Sequence, residues 1–269
     1  MALPENFDTV MQDAWQRASG VPGFIGELEF RALGLLAAAA PPGGVTVEIG
    51  SFKGKSTVAL ASIAAQYGFG EVVSIDPHTS PSVTDPMFSE KASSFEDFMD
   101  TLRTTGIERN VEVYRAASRE VAPGWNRPIR LLWIDGDHTY AGAKEDFDLF
   151  SPYLIEGGIV AFHDTLHEFE GPIRVVVEDL LRSDRFGPAG FFHTIGWAQY
   201  RPRDGTRFRA QRERLARRAA KILPFVAGGR PVKGFSKLRY KLRRVLVPHA
   251  VPTTAEWSAK IGLELSFGA

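Results

Sequence analysis

Residues 45–57, VTVEIGSFKGKST, run an apolar β-branched stretch through an acidic residue into a glycine-rich turn and then a helix. Val45 and Val47 are β-branched and Ile49 completes the stretch, while residues 56–66 set Val58, Leu60, Ile63 and Ala64 at helical spacing. The unit reads as strand, turn, helix. Glu48 decides what such a turn serves. Backbone N–H groups and a lysine cradle a phosphate, whereas a carboxylate at a strand end suits a ligand that offers hydroxyl or ammonium donors. The segment reads as a cofactor loop.

A phosphate loop is the alternative, because residues 50–57, GSFKGKST, approach the pattern G-x-x-x-x-G-K-[ST]. Only Ser51, Phe52 and Lys53 separate Gly50 from Gly54, one residue short of the number that lets a loop turn its amides onto a phosphate. Lys55 is the residue that a phosphotransferase would use.

Strand and helix patterns alternate after this unit. Residues 71–76, 110–115, 128–135 and 158–163 read as strands, and 88–105 as a helix. Tyr140, Ala143, Phe147 and Phe150 mark a helix that Pro152 closes, and 171–182 is a helix with Pro172 in its first turn. Residues 191–195 and 197–201 are short strands joined too tightly at Gly196 for a crossover, so they form a hairpin. Near-continuous apolar strands separated by helices predict an α/β fold, a doubly wound and mostly parallel sheet covered on both faces. In such sheets ligands bind beyond the carboxyl ends of the strands, where Glu48, Asp76, Asp135 and the His163-Asp164 pair gather.

The chain has 269 residues, 44% hydrophobic and 24% charged, enough for one α/β domain with an appendage. It has no cysteine, which excludes disulfides, thiolate zinc sites and a cysteine nucleophile and fits a reducing cytoplasm. The first ten residues carry no basic leader pattern and no apolar run is long enough to span a membrane, so the expectation is a soluble, unexported protein. The zero net charge hides a division. Residues 1–200 hold 15 Lys and Arg against 28 Asp and Glu, and residues 201–269 hold 17 against 4. The division suggests a domain over 1–200 and a basic, helical extension over 201–269.

Residues 131–140, LLWIDGDHTY, place Asp135, Asp137 and His138 just after a buried strand. Asp135 with the His163-Asp164 pair offers two carboxylates and an imidazole to one point, enough for a divalent cation, and His138 is placed to take a proton from a bound hydroxyl. Asp76 is placed to accept hydrogen bonds from ribose hydroxyls. Structural alternatives stand beside these. Asp76-Pro77 suits a turn, Asp137 suits a helix cap, His163 suits a satisfied histidine beside the sheet, and Trp125, Trp133 and Trp197 suit core as well as pocket.

The runs VEIGSFKGKSTVALA, VVSIDPHT and LLWIDGDHTYAGAKEDFDLFSPYLIEGGIVAFHDT, in this order and spacing, resemble class I S-adenosylmethionine-dependent methyltransferases, most of all the macrocin O-methyltransferase and cephalosporin-hydroxylase-like branch. The resemblance covers about residues 24–200. It implies a Rossmann-like seven-stranded sheet of order 3-2-1-4-5-7-6 with strand 7 antiparallel. It also implies that Glu48, Gly50 and Ser51 form the first cofactor motif, with Ser56 near the methionine part, Asp76 on the ribose, Ser118 near adenine and Asp135 at the cofactor and acceptor alike. In metal-dependent relatives acids at these strand ends bind Mg²⁺; Asp135 and Asp164 match in type, and His163 stands where an acid is usual. His138 falls where such relatives place a general base. The activity implied is methyl transfer to a hydroxyl of a small molecule or glycan.

Outside the resemblance, residues 207–223, with Phe208, Leu215, Ala219 and Ile222, and residues 234–246 make basic amphipathic patterns. One reading lays residues 201–246 on an anionic membrane. The simpler reading packs Phe208, Leu215, Phe235 and Leu238 on the acidic body or on a second subunit of a homo-oligomer. Nucleic acid is disfavoured, since no aromatic stacking platform accompanies the charge. The predicted helix over 24–40 and the loop over 77–87 are candidates for a substrate lid. A non-catalytic module that keeps the cofactor fold is the remaining alternative.

Overall fold

The computed structural model describes residues 3–79, 93–229 and 232–261. Most of the candidate lid loop and the start of the predicted helix over 88–105 lie outside the described residues. Seven strands form one sheet of order β3-β2-β1-β4-β5-β7-β6: β1 (Val45–Ile49), β2 (Val72–Ile75), β3 (Val111–Tyr114), β4 (Ile129–Ile134), β5 (Leu154–Phe162), β6 (Phe186–Phe192) and β7 (Ile195–Tyr200). The first five pair in parallel, and β7 runs antiparallel to both β5 and β6. The helices are α1 (Phe7–Ala18), α2 (Glu27–Ala39), α3 (Lys55–Tyr67), α4 (Phe95–Thr104), α5 (Ser118–Val121), α6 (Tyr140–Phe150), α7 (Glu170–Val175), α8 (Arg209–Ala219), α9 (Leu223–Val226), α10 (Gly234–Val245) and α11 (Thr254–Lys260).

Both faces of the sheet are covered because successive strand side chains point to opposite sides. Leu131 and Trp133 of β4 join the core under α1, α2 and α3, while Leu132 and Ile134 join the one under α6 and α7. Trp125, Trp133 and Trp197 are all buried in these cores. Helix α1 has no counterpart among the expected elements, although Phe7, Met11, Ala14 and Ala18 put its buried face at helical spacing. Arg130 fixes α2 to the sheet. Its buried guanidinium donates to the carbonyls of Pro41, Ala37 and Ala40, groups that the end of the helix leaves without partners.

Three expectations need correction. The hairpin turns at His193-Thr194, with His193 at φ +53°, whereas Gly196 lies inside β7. Glycine is needed there for contact, since a Cβ would lie 2.9 Å from Thr165 Cγ2 and 3.1 Å from Val176 Cγ2. Strand β5 starts at Leu154 rather than 158, because the pairing with β4 jumps from Ile129↔Leu154 to Leu131↔Ile159 and a bulge with Gly157 at φ +84° takes up the excess. Helix α2 starts at Glu27 rather than 24 and is buried from Ala32 through Ala39, so it is a core element that cannot lift as a lid without opening that core.

The basic extension returns to the body. Leu215, Ala216 and Ala219 of α8 are buried, as are Ile222 and Trp257. Arg212, also buried, donates to the carbonyls of Phe186 and Gly205 and pairs with Asp184 at 3.2 Å. Trp257 packs edge-on against Trp197 and Phe192 and donates to the Leu35 carbonyl at 3.0 Å. The simpler reading of the extension thus holds for Leu215, while Phe208 is half-buried and Phe235 and Leu238 are exposed. Trp257→Ala is expected to destabilise the protein by about 3–5 kcal/mol, as for other buried tryptophans. Thermal or urea unfolding checks this, and an unchanged midpoint would show that α11 is not part of the cooperative core.

Candidate active site

Strand order reverses between β1 and β4, and the loops after these strands part to opposite faces there. The two loops touch through backbone. Asp135 N–H donates to the Ile49 carbonyl at 2.8 Å, and a Cβ on Gly50, which sits at φ +83°, would lie 2.3 Å from the Asp135 carbonyl. Gly50 therefore serves loop-to-loop contact in the first place. On one side of this contact stand Glu48, Ser51, Ser56 and Asp76; on the other stand Asp135, His138, His163 and Asp164.

Glu48 is fully buried and accepts hydrogen bonds from Ser56 Oγ and Thr57 Oγ1, both 2.5 Å. Burial pushes its carboxyl up to about 8; the two hydroxyls oppose the rise and the charges of Asp135 and Asp76 add to it. Asp76 clamps the glycine-rich turn. Its Oδ2 accepts from the N–H groups of Ser51 and Phe52, each 2.8 Å, and its Oδ1 accepts from His78 N–H at 2.6 Å. Phe52, at φ +48°, is held in the left-handed region by this clamp. Ser74 Oγ donates to Ser51 Oγ at 2.8 Å. Ser118 begins α5 and bonds Asp146 of α6, whose buried carboxyl is pushed up to about 6 by desolvation against that bond.

The phosphate reading fails on this geometry. The hydroxyls of Ser56 and Thr57 are spent on Glu48, and Lys55 Nζ lies over the Trp15 ring, 5.0 Å from its centroid. Two acidic side chains, Glu48 and Asp76, take the donors of the turn, and Lys53 pairs with Asp97 at 2.9 Å.

On the far side His138 Nε2 lies 3.3 Å from Asp164 Oδ2 and 3.7 Å from Asp135 Oδ1, and its ring stacks on Phe169 at 4.3 Å. Asp164 sits at φ +55°, a left-handed conformation that is uncommon outside glycine. Ligand atoms of Asp135, His138 and Asp164 all lie within 4.8 Å of one another. His163, expected with Asp135 and Asp164, meets the same two acids, its Nδ1 lying 3.4 Å from Asp164 Oδ1. Its Nδ1 meets Asp135 Oδ1 at 3.1 Å and its Nε2 faces Glu29 Oε1 at 3.5 Å. Burial opposes a charge on this imidazole, but Asp135 and Asp164 outweigh it and raise His163 well above its ordinary range. In turn, although burial favours the neutral acids, His163 holds Glu29 and Asp135 below theirs.

Glu29 was not foreseen. It also accepts from Gly26 N–H at 3.1 Å, from Thr194 Oγ1, and pairs with His193 Nδ1 at 2.9 Å. Its place three residues into α2 signals a helix cap, and nothing local to the sequence signals the histidines it meets. Asp137 accepts from Thr139 N–H at 2.8 Å, and Thr139, not Asp137, caps α6.

Sheet order, glycine-rich turn and the acids at the ends of β1, β2 and β4 are arranged as in the Rossmann-like fold of class I methyltransferases. Residues 47–165 match the family described as a methyltransferase domain, a segment that runs from β1 to just past Asp164. Among solved structures the chain is similar to the O-methyltransferase NovP, at 15% identity and a TM-score of 0.59 over 73% of this chain and 98% of that one. It is also similar to a putative O-methyltransferase from Klebsiella pneumoniae, at 15% identity and a TM-score of 0.53, over 74% of this chain and 90% of that one. Cofactor-bound Rv0187 from MTB aligns at 17% identity and 0.51, over 74% and 91%. These likenesses are of fold.

Glu48 gives a pH signature. Its folded pKa lies near 8 against an ordinary 4.5, so its contribution to stability is full below about 4.5 and is lost as pH rises to about 8. Glu48→Gln removes that loss. In cofactor-free protein the melting temperature of the Gln variant relative to wild type is expected to be higher at pH 9 than at pH 5. A difference independent of pH would show that burial does not govern the charge of Glu48.

Proposed function

We propose that this methyltransferase transfers the sulfonium methyl group of S-adenosylmethionine to a hydroxyl of a small-molecule or glycan acceptor, and that His138 takes the hydroxyl proton. The observation that carries the reading is the placement of His138 Nε2 3.3 Å from Asp164 and 3.7 Å from Asp135, across the Gly50 contact from the cofactor turn. The likeness to NovP, an O-methyltransferase, agrees with it.

Glu48, Gly50, Ser51, Ser56, Asp76, Ser118 and Asp135 form the cofactor side. The acidic lining suits a ligand that carries a sulfonium and an ammonium. Asp76 holds the turn with part of its lone pairs and offers the rest to ribose hydroxyls, and Ser118 and Asp146 stand at the adenine end. In the reaction an oxygen lone pair forms the O–CH₃ bond in line with the breaking S–CH₃ bond, whose electrons remain on sulfur as a neutral thioether. The proton passes to His138, where an imidazolium lies between two carboxylates. Residues 1–200 form the catalytic unit in this reading, with the extension as its support; a chain without cysteine suits a reducing cytoplasm.

A second reading is favoured by the convergence of Asp135, His138 and Asp164, whose donors fit a divalent cation. An imidazole in the set suits Mn²⁺ or another transition ion better than Mg²⁺. Bound there, such an ion would lower the pKa of a coordinated hydroxyl, and His138 would be a ligand instead of the base.

Calorimetry and methyl-transfer assays over phenolic and glycosyl hydroxyl acceptors test both. Micromolar binding of S-adenosylhomocysteine, weakened in Asp76→Ala, is expected, whereas binding of ATP alone would overturn the reading. His138→Ala should lower turnover by about 10²–10⁴ without changing S-adenosylhomocysteine affinity. Activity that survives a chelator supports His138 as base; loss restored by Mn²⁺ supports the cation. Full activity of His138→Ala rejects both.

A further inference from the structure

Helix α10 turns most of its large apolar side chains outward. Phe235, Leu238, Leu242 and Val245, with Leu246 at the helix end, are between 53% and 74% exposed. At 3.6 residues per turn they fall within an arc of about 100°. Tyr240, the buried residue of the helix, lies on the opposite side. Arg239 and Arg243 border the stripe along one edge, and Lys237 and Lys241 along the other. An outward apolar stripe between two cationic rows is the arrangement of a helix that lies in the plane of a membrane surface, apolar face down and basic rows at the level of the phosphates.

We propose that α10 seats this protein on an anionic lipid bilayer. A second copy of the chain is a poorer occupant for two reasons. Pairing α10 with its own mate about a two-fold axis brings cationic rows against cationic rows. The acidic body of another copy would suit the rows, but among the described residues only Phe24 and Leu28 are large exposed apolar side chains outside this helix, too little to cover five. An anionic bilayer meets the charge and the stripe together. Helix α8 does not share the role, since Leu215, Ala216 and Ala219 are buried and Arg212 is spent on β6 carbonyls.

The inner side of α10 holds the loop that carries Asp164. Tyr240 Oη donates to the Leu166 carbonyl at 2.6 Å, and Lys237 Nζ pairs with Glu168 at 2.9 Å. Phe169 of the same loop is the residue stacked on His138. Docking through α10 would hold this loop about 10 Å, one helix diameter, from the lipid surface. If the hydroxyl-transfer reading holds, and this consequence rests on it, the acceptor is an amphiphile taken from the interface.

Vesicle co-sedimentation of the full chain decides the proposal. Binding to phosphatidylcholine vesicles that contain phosphatidylglycerol is expected, weakening with salt and at least about tenfold weaker on phosphatidylcholine alone. Leu238→Asp/Leu242→Asp and Arg239→Glu/Lys241→Glu should each weaken binding by at least about tenfold. These side chains are exposed, so circular dichroism and S-adenosylhomocysteine affinity should not change. Absence of wild-type binding, or binding by both variants at the wild-type level, overturns the proposal. So does a lipid-free dimer that Leu238→Asp/Leu242→Asp dissociates, which would assign the stripe to a second copy. Vesicle binding does not depend on catalysis, so loss of the methyl-transfer reading would leave this result standing.

Discussion

A buried chain of charges at the carboxyl edge of the sheet holds the site together. Glu29 at the start of α2, Asp135 after β4, His163 and Asp164 after β5, and His193-Thr194 in the β6–β7 turn converge there. An imidazolium at His163 is tolerable only because carboxylates face both its nitrogens. Removing one partner of such a buried pair leaves a charge without compensation, which costs about 3–5 kcal/mol. The arrangement also holds His163, conspicuous in the sequence beside Asp164, between Glu29 and the pair Asp135 and Asp164, while His138, stacked on Phe169, meets the same two acids.

The cofactor side follows a different logic. A turn at the N-terminus of α3 presents unpaired N–H groups that ordinarily favour an anion. Here the anion is internal: Asp76, from the end of the neighbouring strand, takes the N–H groups of Ser51 and Phe52. Glu48 takes the hydroxyls of Ser56 and Thr57 from beneath the helix. With both sets of donors satisfied by acidic side chains, the turn has a fixed shape and a lining that offers acceptors. That combination disfavours a polyphosphate and favours a ligand that brings positive charge and hydroxyls.

Charge in the extension is divided by use. Arg209 and Arg212 of α8 are drawn onto Asp184 and the β6 carbonyls, so this part of the basic tail is a structural clasp on the edge hairpin. Pro188, which lacks an N–H, is accommodated in β6 because that strand is the edge of the sheet. Helix α10 pairs Lys237 with Glu168 and lays Arg239 over the Phe225 ring, but its apolar stripe stays exposed. Helix α11 then brings the chain back to Trp197.

Sequence alone determined the alternation of parallel strands and helices, the antiparallel hairpin, the turn after β1 and the acids at the strand ends. Each of these is local: β-branched runs, helical spacing and glycine act within a few residues. The strand-end acids then meet because a parallel sheet puts its carboxyl ends on one edge. Tertiary structure alone decided the rest. The hairpin turn moved from Gly196 to His193 because the absence of a side chain at 196 served packing against Thr165 and Val176. Glu29 entered the site, and His138 as well as His163 met Asp135 and Asp164, since the pairing of buried charges depends on distances between elements far apart in the chain. The amphipathic patterns at 207–223 and 234–246 looked alike in sequence. Only packing could show that α8 spends its apolar face on the core while α10 leaves its own exposed, because a helical repeat defines a face and not what lies against it.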